Sequence, residues 1–332
     1  PSIKDIAKLA GVSVATVSYV LNRKENHRIR KETQDKIFEI AKSINYQPNK
    51  VAKSLKTNET KLLGLLIADI SNEFYSNITR SIENYALELG YNIIIGSSDE
   101  NPRKFENILS LFSQQQVDGV IVAPVNGSEV ILQKVSKEGL PLVTIDRYLS
   151  NVRIPGVMIN NKDISEEVTL FLAKKDFDKI IYIGYDTTLP HLLDRQLGFE
   201  SGIQKSEKNI LVEKVLVGLD NIKEEIHSGL YNTLGTTPEK TALYFSSNKL
   251  AVAGLSFLAK HKIKVPDEVS VIAFDETEAY TLFPTEISYV KQPLEEMAEE
   301  AVMLLHEQIK KRSTVNKQIT LMPKLVLRES II

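Results

Sequence analysis

Apolar positions in the first 22 residues recur at helical spacing. Ile3, Ile6, Ala7 and Ala10 share one face, and Val14, Val17, Val20 and Leu21 share another. Between them Gly11 stands where a sharp turn needs positive φ, and Ser13 is placed to cap the second helix. Two short helices around a tight turn form the helix-turn-helix pattern, whose second helix enters the major groove. Ala15, Thr16, Ser18, Tyr19 and Asn22 point away from the core. They are small or polar, suited to base edges and phosphates. An ordinary αα-hairpin is the alternative. A third helix is predicted over Lys31–Asn45, with Ile37, Ile40, Ala41 and Ile44 inward, ended by the run Tyr46-Gln47-Pro48-Asn49. Arg30, Lys31 and Lys36 stand near its start, within reach of phosphates. Residues 49–56 are basic and helix-permissive but only about two turns long, too short to be a stable helix alone in water. There Leu55 is apolar amid Lys53, Ser54 and Lys56. It either packs against the next domain or wedges into a minor-groove base step.

From Leu62 onward the pattern changes to apolar runs of strand length separated by amphipathic stretches. Strands are expected at Leu62–Ala68, Tyr91–Ser97, Asp118–Ala123, Leu140–Ile145, Lys179–Tyr185, Ile210–Val217, Thr241–Ser246, Val269–Phe274 and Ile287–Val290. Helices such as Phe74–Leu89, Arg103–Gln115, Lys162–Lys175, Arg195–Lys205, Lys249–Lys260 and Leu294–Arg312 fall between them. Continuous rather than alternating apolar runs mark strands buried on both faces, hence a parallel α/β sheet. So many strands imply two sheets and two lobes.

Charge divides the chain at the same place. Residues 1–60 hold twelve Lys or Arg against six Asp or Glu, a net of +6; the rest nets −8. A basic head on an acidic body is the pattern of a polyanion-binding module joined to something else. The absence of cysteine excludes disulfides, thiolate metal sites and cysteine nucleophiles. No apolar run approaches the ~20 residues of a membrane span. With no basic-then-apolar leader at the start, a soluble cytoplasmic protein is expected.

Open α/β sheets bind ligands just past strand C-termini. Those positions read Asp69, Ser98, Asp99, Asp146-Arg147, Asp186, Ser247-Asn248 and Asp275-Glu276. The set offers many donors and acceptors and little fixed cationic character, so it suits a neutral polyhydroxyl ligand better than a phosphate. Phe74 and Tyr75 are placed to stack on a sugar ring or planar base. Each polar residue has a loop-capping reading of equal weight. No G-x-G-x-x-G, Walker A or G-x-S-x-G motif occurs, and the five histidines lack metal-ligand spacing. The chain therefore reads as a non-enzyme without metal or cofactor.

Over essentially its full length the chain resembles the LacI/GalR family of bacterial transcription regulators. The resemblance rests on IKDIAKLAGVSVATVSYVLN (3–22), NYQPNKVAKSLK (45–56), DISNEFYSNI (69–78), DRQLGF (194–199) and VSVIAFDE (269–276). It implies an all-α helix-turn-helix DNA-binding domain (1–48), a hinge helix and linker (49–60) and a two-lobed α/β core with parallel sheets like periplasmic binding proteins (61–332). The lobes are expected at about 61–160 with 291–318 and about 161–290 with 319–332. It further implies a homodimer on palindromic double-stranded operator DNA. No heptad tail follows Leu325–Leu327, which favours a dimer over a tetramer.

Carried over by motif, Val14, Ala15, Ser18 and Tyr19 face the major groove, and Ser13, Thr16 and Asn22 touch phosphates. Leu55 intercalates, with Lys53 beside it. Tyr19 stands where arginine or histidine is frequent, and Lys53 where arginine is usual. For the effector the resemblance points to Phe74, Tyr75, Arg195 and Asp275. Asp146 and Ser247 fit the same cleft, and His191 is a further candidate. Arg195 and Asp275 are expected on the cleft linings of opposite lobes, or at least across the ligand from Asp146 and Tyr75. The implied function is a repressor controlled by a small ligand. A sugar is favoured and a purine-type co-repressor is the alternative. Release of DNA by ligand is the commoner family pattern. A sugar receptor without DNA function is a weaker reading, against which the basic head argues.

Overall fold

A computed structural model of the chain describes residues 1–21, 29–47, 59–149, 152–235, 240–311 and 317–332. Asn22, Lys53 and Leu55 lie outside the described residues. The chain forms two compact units, Pro1–Thr60 and Lys61–Ile332.

In the first unit, α1 (Ile3–Ala10), α2 (Val14–Leu21) and α3 (Lys31–Ser43) enclose a small core. Its centre is Ile6, Ala7, Ala10, Val17, Val20, Ile37 and Ala41. Asp5 accepts from the backbone N and Oγ of Ser2 at 2.7 and 2.8 Å, fixing the start of α1. Gly11 ends α1 at φ 72°, the left-handed turn the sequence required. Ser13 Oγ accepts from Thr16 N at 3.0 Å and so caps α2. Two expectations change. Val14, expected on the apolar face, is 42% exposed, because it opens α2 one turn before the buried Val17. Helix α3 stops at Ser43, not at Asn45, and proline does not stop it. Asn45 takes φ 53°, and the N–H groups of Asn45 and Tyr46 close back on Lys42 O and Ala41 O. Those two bonds satisfy the last carbonyls in a Schellman turn.

The second unit contains two six-stranded sheets. The first has the order β11-β5-β4-β3-β1-β2, built from β1 (Leu62–Ile67), β2 (Asn92–Ser97), β3 (Gly119–Val122), β4 (Leu142–Ile145), β5 (Gly156–Ile159) and β11 (Gln318–Leu321). All its pairings are parallel. The second has the order β12-β10-β9-β8-β6-β7, from β6 (Lys179–Tyr185), β7 (Leu211–Val217), β8 (Thr241–Phe245), β9 (Val269–Phe274), β10 (Ser288–Lys291) and β12 (Lys324–Val326). Only its β10–β12 edge is antiparallel. Each sheet with its helices is one lobe. The central strands β3, β4, β8 and β9 are buried along their whole length, which is why they read as unbroken apolar runs.

The chain passes between lobes three times: after β5, after β10 and after β11. The last passage follows Leu321, so the boundary expected at 318/319 would have cut β11. Helices α4 (Glu73–Glu88), α7 (Asn161–Lys174), α8 (Pro190–Ser206), α10 (Asn248–His261) and α12 (Leu294–Lys311) matter most below. Helices α7 and α8 pack unusually close at Gly198, where an added Cβ would stand 2.1 Å from Lys162 O. That contact explains the glycine of D-R-Q-L-G-F, three residues after Arg195. Among the described residues no helix is long and apolar enough to cross a membrane.

Candidate functional site

Two surfaces carry chemistry, one in each unit. On the first, Ser13, Val14, Ala15 and Tyr19 are exposed along α2 and Thr16 and Ser18 half-buried, while Val17 and Val20 hold the helix to its core. The Ser13 and Thr16 hydroxyls lie 2.8 Å apart and hydrogen-bond each other. Arg30 is exposed at the start of α3. The structure thus presents an exposed helical face of small, polar and aromatic side chains, with Arg30 exposed in the same unit, residue types suited to base edges and phosphates.

On the second, a cavity of about 230 Å³ opens between the lobes at the C-terminal ends of the strands. All seven residues expected at a ligand, Phe74, Tyr75, Asp146, His191, Arg195, Ser247 and Asp275, line it. Asn72 caps α4 by accepting from Phe74 N at 3.1 Å, which sets the two aromatic rings at the cleft. The rings meet edge-on, 5.0 Å between centroids. Tyr75 OH donates to Asp146 Oδ2 at 2.8 Å. From the other lobe, Arg195 Nε donates to Asn161 Oδ1 and its Nη1 to Ser246 O, both at 2.8 Å. Its guanidinium carbon sits 3.6 Å from the centroid of the Phe274 ring. Asp275 accepts from Gln292 Nε2 at 2.6 Å. Tyr75 and Asp146 belong to the first lobe, Arg195 and Asp275 to the second. Arg195 and Asp275 are therefore not on opposite lobes, because both come from elements of the second sheet's lobe; they stand across the cleft from Asp146 and Tyr75.

The cleft is more cationic than the sequence indicated, but two of its three cations are paired with carboxylates. Arg147 Nη1 and Nη2 donate to the two oxygens of Glu100 at 2.8 and 2.6 Å, and its Nε lies 3.5 Å from Asp146 Oδ2. Lys249 pairs with Asp69 across the lobes. Beside them Asn248 Nδ2 donates to Asn72 Oδ1 at 2.8 Å, a neutral tie between the lobes. Ser247 caps α10 through Leu250 N and donates to Tyr185 OH, so its capping and cleft-lining readings are both realised. Against three cations stand six lining carboxylates: Asp69, Asp99, Glu100, Asp146, Asp220 and Asp275. Four of them, Asp99, Glu100, Asp146 and Asp275, have φ between 51° and 67°. Left-handed backbone at a non-glycine residue costs on the order of 1–3 kcal/mol and persists only where the surroundings over-determine it. Strain is thus concentrated where the cleft aims its acceptors.

Burial and the nearby Arg147 and Arg195 push the His191 imidazole well below its ordinary 6.5. Its Nδ1 has no hydrogen-bond partner, and neither does Gln292 Oε1. Burial pushes the Asp275 carboxyl up, partly offset by Arg195 and Gln292. The unfolded chain takes a proton at His191 near 6.5, the folded chain only well below it. The stability from this neutral imidazole is therefore full above that pH and is lost as pH falls, at up to about 1.4 kcal/mol per unit. In melts between about pH 8 and about pH 5, the core transition should fall more steeply for the wild type than for His191→Gln. Parallel curves would show that the imidazole does not titrate in this way.

A family model described as bacterial regulatory proteins, lacI family, matches residues 2–49, and a periplasmic binding protein-like domain matches residues 169–331. The chain is 32% identical over its whole length to the HTH-type transcriptional regulator RegA of Clostridium saccharobutylicum, spanning 99% of that protein. The chain belongs to the lacI family. The ribose operon repressor of Halalkalibacterium halodurans is 30% identical over 99% of this chain and 96% of its own length. In fold, this lacI-family protein matches a lac repressor dimer bound to operator and an anti-inducer, with TM-score 0.83 at 18% identity, covering 99% and 98% of the two chains. A LacI-family regulator from Silicibacter pomeroyi gives 0.78 at 22% identity over 99% of both. The helix-turn-helix head and two-lobed parallel α/β core expected from the sequence are those of the family. This lacI-family protein is a DNA-binding transcriptional regulator with a ligand-binding core.

Several cleft residues were not among the ligand candidates of the sequence, most consequentially Arg147, Glu100, Lys249 and Gln292. Arg147 stood in the strand-end series beside Asp146. Gln292 directly follows β10 and so carried the same signal. Glu100 and Lys249 had none, because their place depends on a turn and on a cross-lobe pairing.

Proposed function

We propose that this regulator is a cytoplasmic, homodimeric repressor that reads a palindromic operator, and that a neutral sugar between its core lobes sets its affinity for DNA. In this reading Ser13, Val14, Ala15, Thr16, Ser18 and Tyr19 of the recognition helix meet the operator, with Arg30, Asn22 and Lys53 at phosphates and Leu55 at the minor groove. Phe74, Tyr75, Asp146, His191, Arg195, Ser247 and Asp275 hold the sugar, which is bound and released unchanged.

The observation that carries the ligand class is the charge balance of the cleft. Arg147 and Lys249 are bound to carboxylates. Arg195 alone among the three has neutral hydrogen-bond partners, and Asp275 stands near enough for its charge to act on it. A phosphate or carboxylate ligand would add charge to a lining already in acidic excess. A neutral polyol instead brings O–H donors to Asp146, Asp275, His191 Nδ1 and Gln292 Oε1, acceptors with capacity to spare. A purine would use the aromatic pair but leave most of these acceptors unmatched.

Thermal shift of the full chain against neutral monosaccharides, sugar phosphates, sugar acids and purines tests this. A neutral sugar at a hundred times its Kd should add about 2.7 kcal/mol to stability. The same sugar should change binding to a duplex selected by the protein, in a gel shift whose affinity falls with salt. A shift produced only by phosphorylated sugars or by purines would overturn the ligand class.

A further inference from the structure

We propose that Glu100 is a specificity-determining residue of the effector cleft: by clamping Arg147 it keeps that guanidinium from receiving an anionic ligand. The inference rests on the neutral-sugar reading of the same cleft and adds the device that enforces it.

Arg147 is the second residue after β4 and is buried between the lobes, with 7% of its side chain exposed. A buried guanidinium at the C-terminal edge of a parallel sheet is the usual receptor for a phosphate or carboxylate, because its donors match such groups two at a time. Here that fork is already taken. Glu100 fills it in bidentate fashion, and Pro124 O accepts a further bond from Nη1 at 3.2 Å. Asp146 Oδ2 lies 3.5 Å from Nε, an ion-pair distance that leaves Nε without a hydrogen bond, and the Tyr75 ring centroid is 5.8 Å from the guanidinium carbon. An anion entering the cleft would have to displace Glu100 or share the site with its charge.

The loop that delivers Glu100 is built to hold it there. Asp99 and Glu100 are consecutive non-glycine residues in left-handed backbone, at φ 51° and 56°. That conformation is disfavoured, so its neighbours must fix it. Ser98 Oγ bonds Ile67 O at 3.2 Å, and Glu100 N bonds Ala68 O at 3.1 Å, tying the turn to the end of β1. Asp99 accepts from Ser97 Oγ at 2.6 Å and pairs with Lys104. Asn101 accepts from Arg103 N and Lys104 N, starting the next helix at once. None of residues 98–101 belongs to the hydrophobic clusters. The turn is held by hydrogen bonds alone, and it brings one carboxylate onto one arginine.

The test uses the full chain and three forms of it: wild type, Glu100→Gln, and the double variant Glu100→Gln with Arg147→Gln. Calorimetric titration pairs D-ribose with D-ribose 5-phosphate and D-glucose with D-glucose 6-phosphate and D-gluconate. The wild type should bind a neutral sugar and discriminate strongly against its charged partner. Glu100→Gln, which keeps shape and removes charge, should bind the neutral sugar more weakly and the anion at least tenfold more tightly. The double variant should lose that gain, which assigns it to Arg147. Equal weakening of both ligands in Glu100→Gln would make Glu100 merely structural and overturn the inference while leaving the neutral-sugar reading in place. Unchanged selectivity would overturn it too. A wild type that itself prefers the anions, or binds none of these sugars, would overturn the neutral-sugar reading and this inference with it.

Discussion

Arg195→Ala is expected to yield a regulator that still binds its operator but no longer responds to its ligand. Arg195 is buried, 3% exposed, and its hydrogen bonds and ring contact hold the cleft wall: Asn161 at the start of α7, Ser246 O just after β8, and the Phe274 ring of β9. Its charge also offsets the burial that pushes the Asp275 carboxyl up. Truncation removes the cation nearest the second lobe's acceptor and leaves polar groups without partners. Hydrogen bonds to charged groups contribute about 1.5–3 kcal/mol, so ligand affinity should fall roughly 10- to 150-fold. Arg195→Lys should fall between, since it restores charge without the planar fork. The checks are titration of the core by ligand and operator binding with and without it. A normal response at wild-type ligand concentration would remove Arg195 from the ligand site. Loss of operator binding without ligand would show that it supports the fold instead.

The legibility of this cleft in the sequence has a physical limit. Strands buried on both faces announce themselves as apolar runs, so β1, β3, β6, β8 and β9 were plain. Three edge or near-edge strands were not. β5 is the four residues Gly-Val-Met-Ile after Pro155, β11 alternates exposed and half-buried positions, and β12 has three residues. Each forms because a neighbour supplies its hydrogen bonds, which no local pattern records. The site divides the same way. Asp146, Ser247 and Asp275 follow strands, and Phe74 and Tyr75 open a helix, so topology alone delivers them to one place. Glu100 reaches Arg147 from 47 residues away only through two left-handed residues. Lys249 meets Asp69 only because two lobes face each other. The expected poverty in cations fails in part for that reason: Arg147 and Arg195 stand in motifs, but Lys249 reaches the cleft only through the cross-lobe pairing.

Ile37→Ala is expected to abolish operator binding while leaving the core's ligand binding intact. Ile37 is fully buried, one of only seven buried residues in the head's core cluster among the described residues, three of them alanines. Removing a buried isoleucine side chain to Ala costs about 2–5 kcal/mol, and a small core has little surrounding material to collapse into the space. A unit of 60 residues has a total stability on the order of 3–9 kcal/mol at typical values per residue. The loss is therefore comparable with the whole, and the recognition helix, only eight residues long, cannot persist without the core that Val17 and Val20 enter. The second unit has hydrophobic clusters of its own, so its melting transition and ligand titration should match the wild type. Calorimetry should show the head's transition lowered or lost, with operator affinity falling by the population of folded head that remains. Glu39→Ala, at an exposed position on the same helix, is the control expected to change neither. Operator affinity within threefold of wild type in Ile37→Ala would show that the head draws its stability from more than its own core.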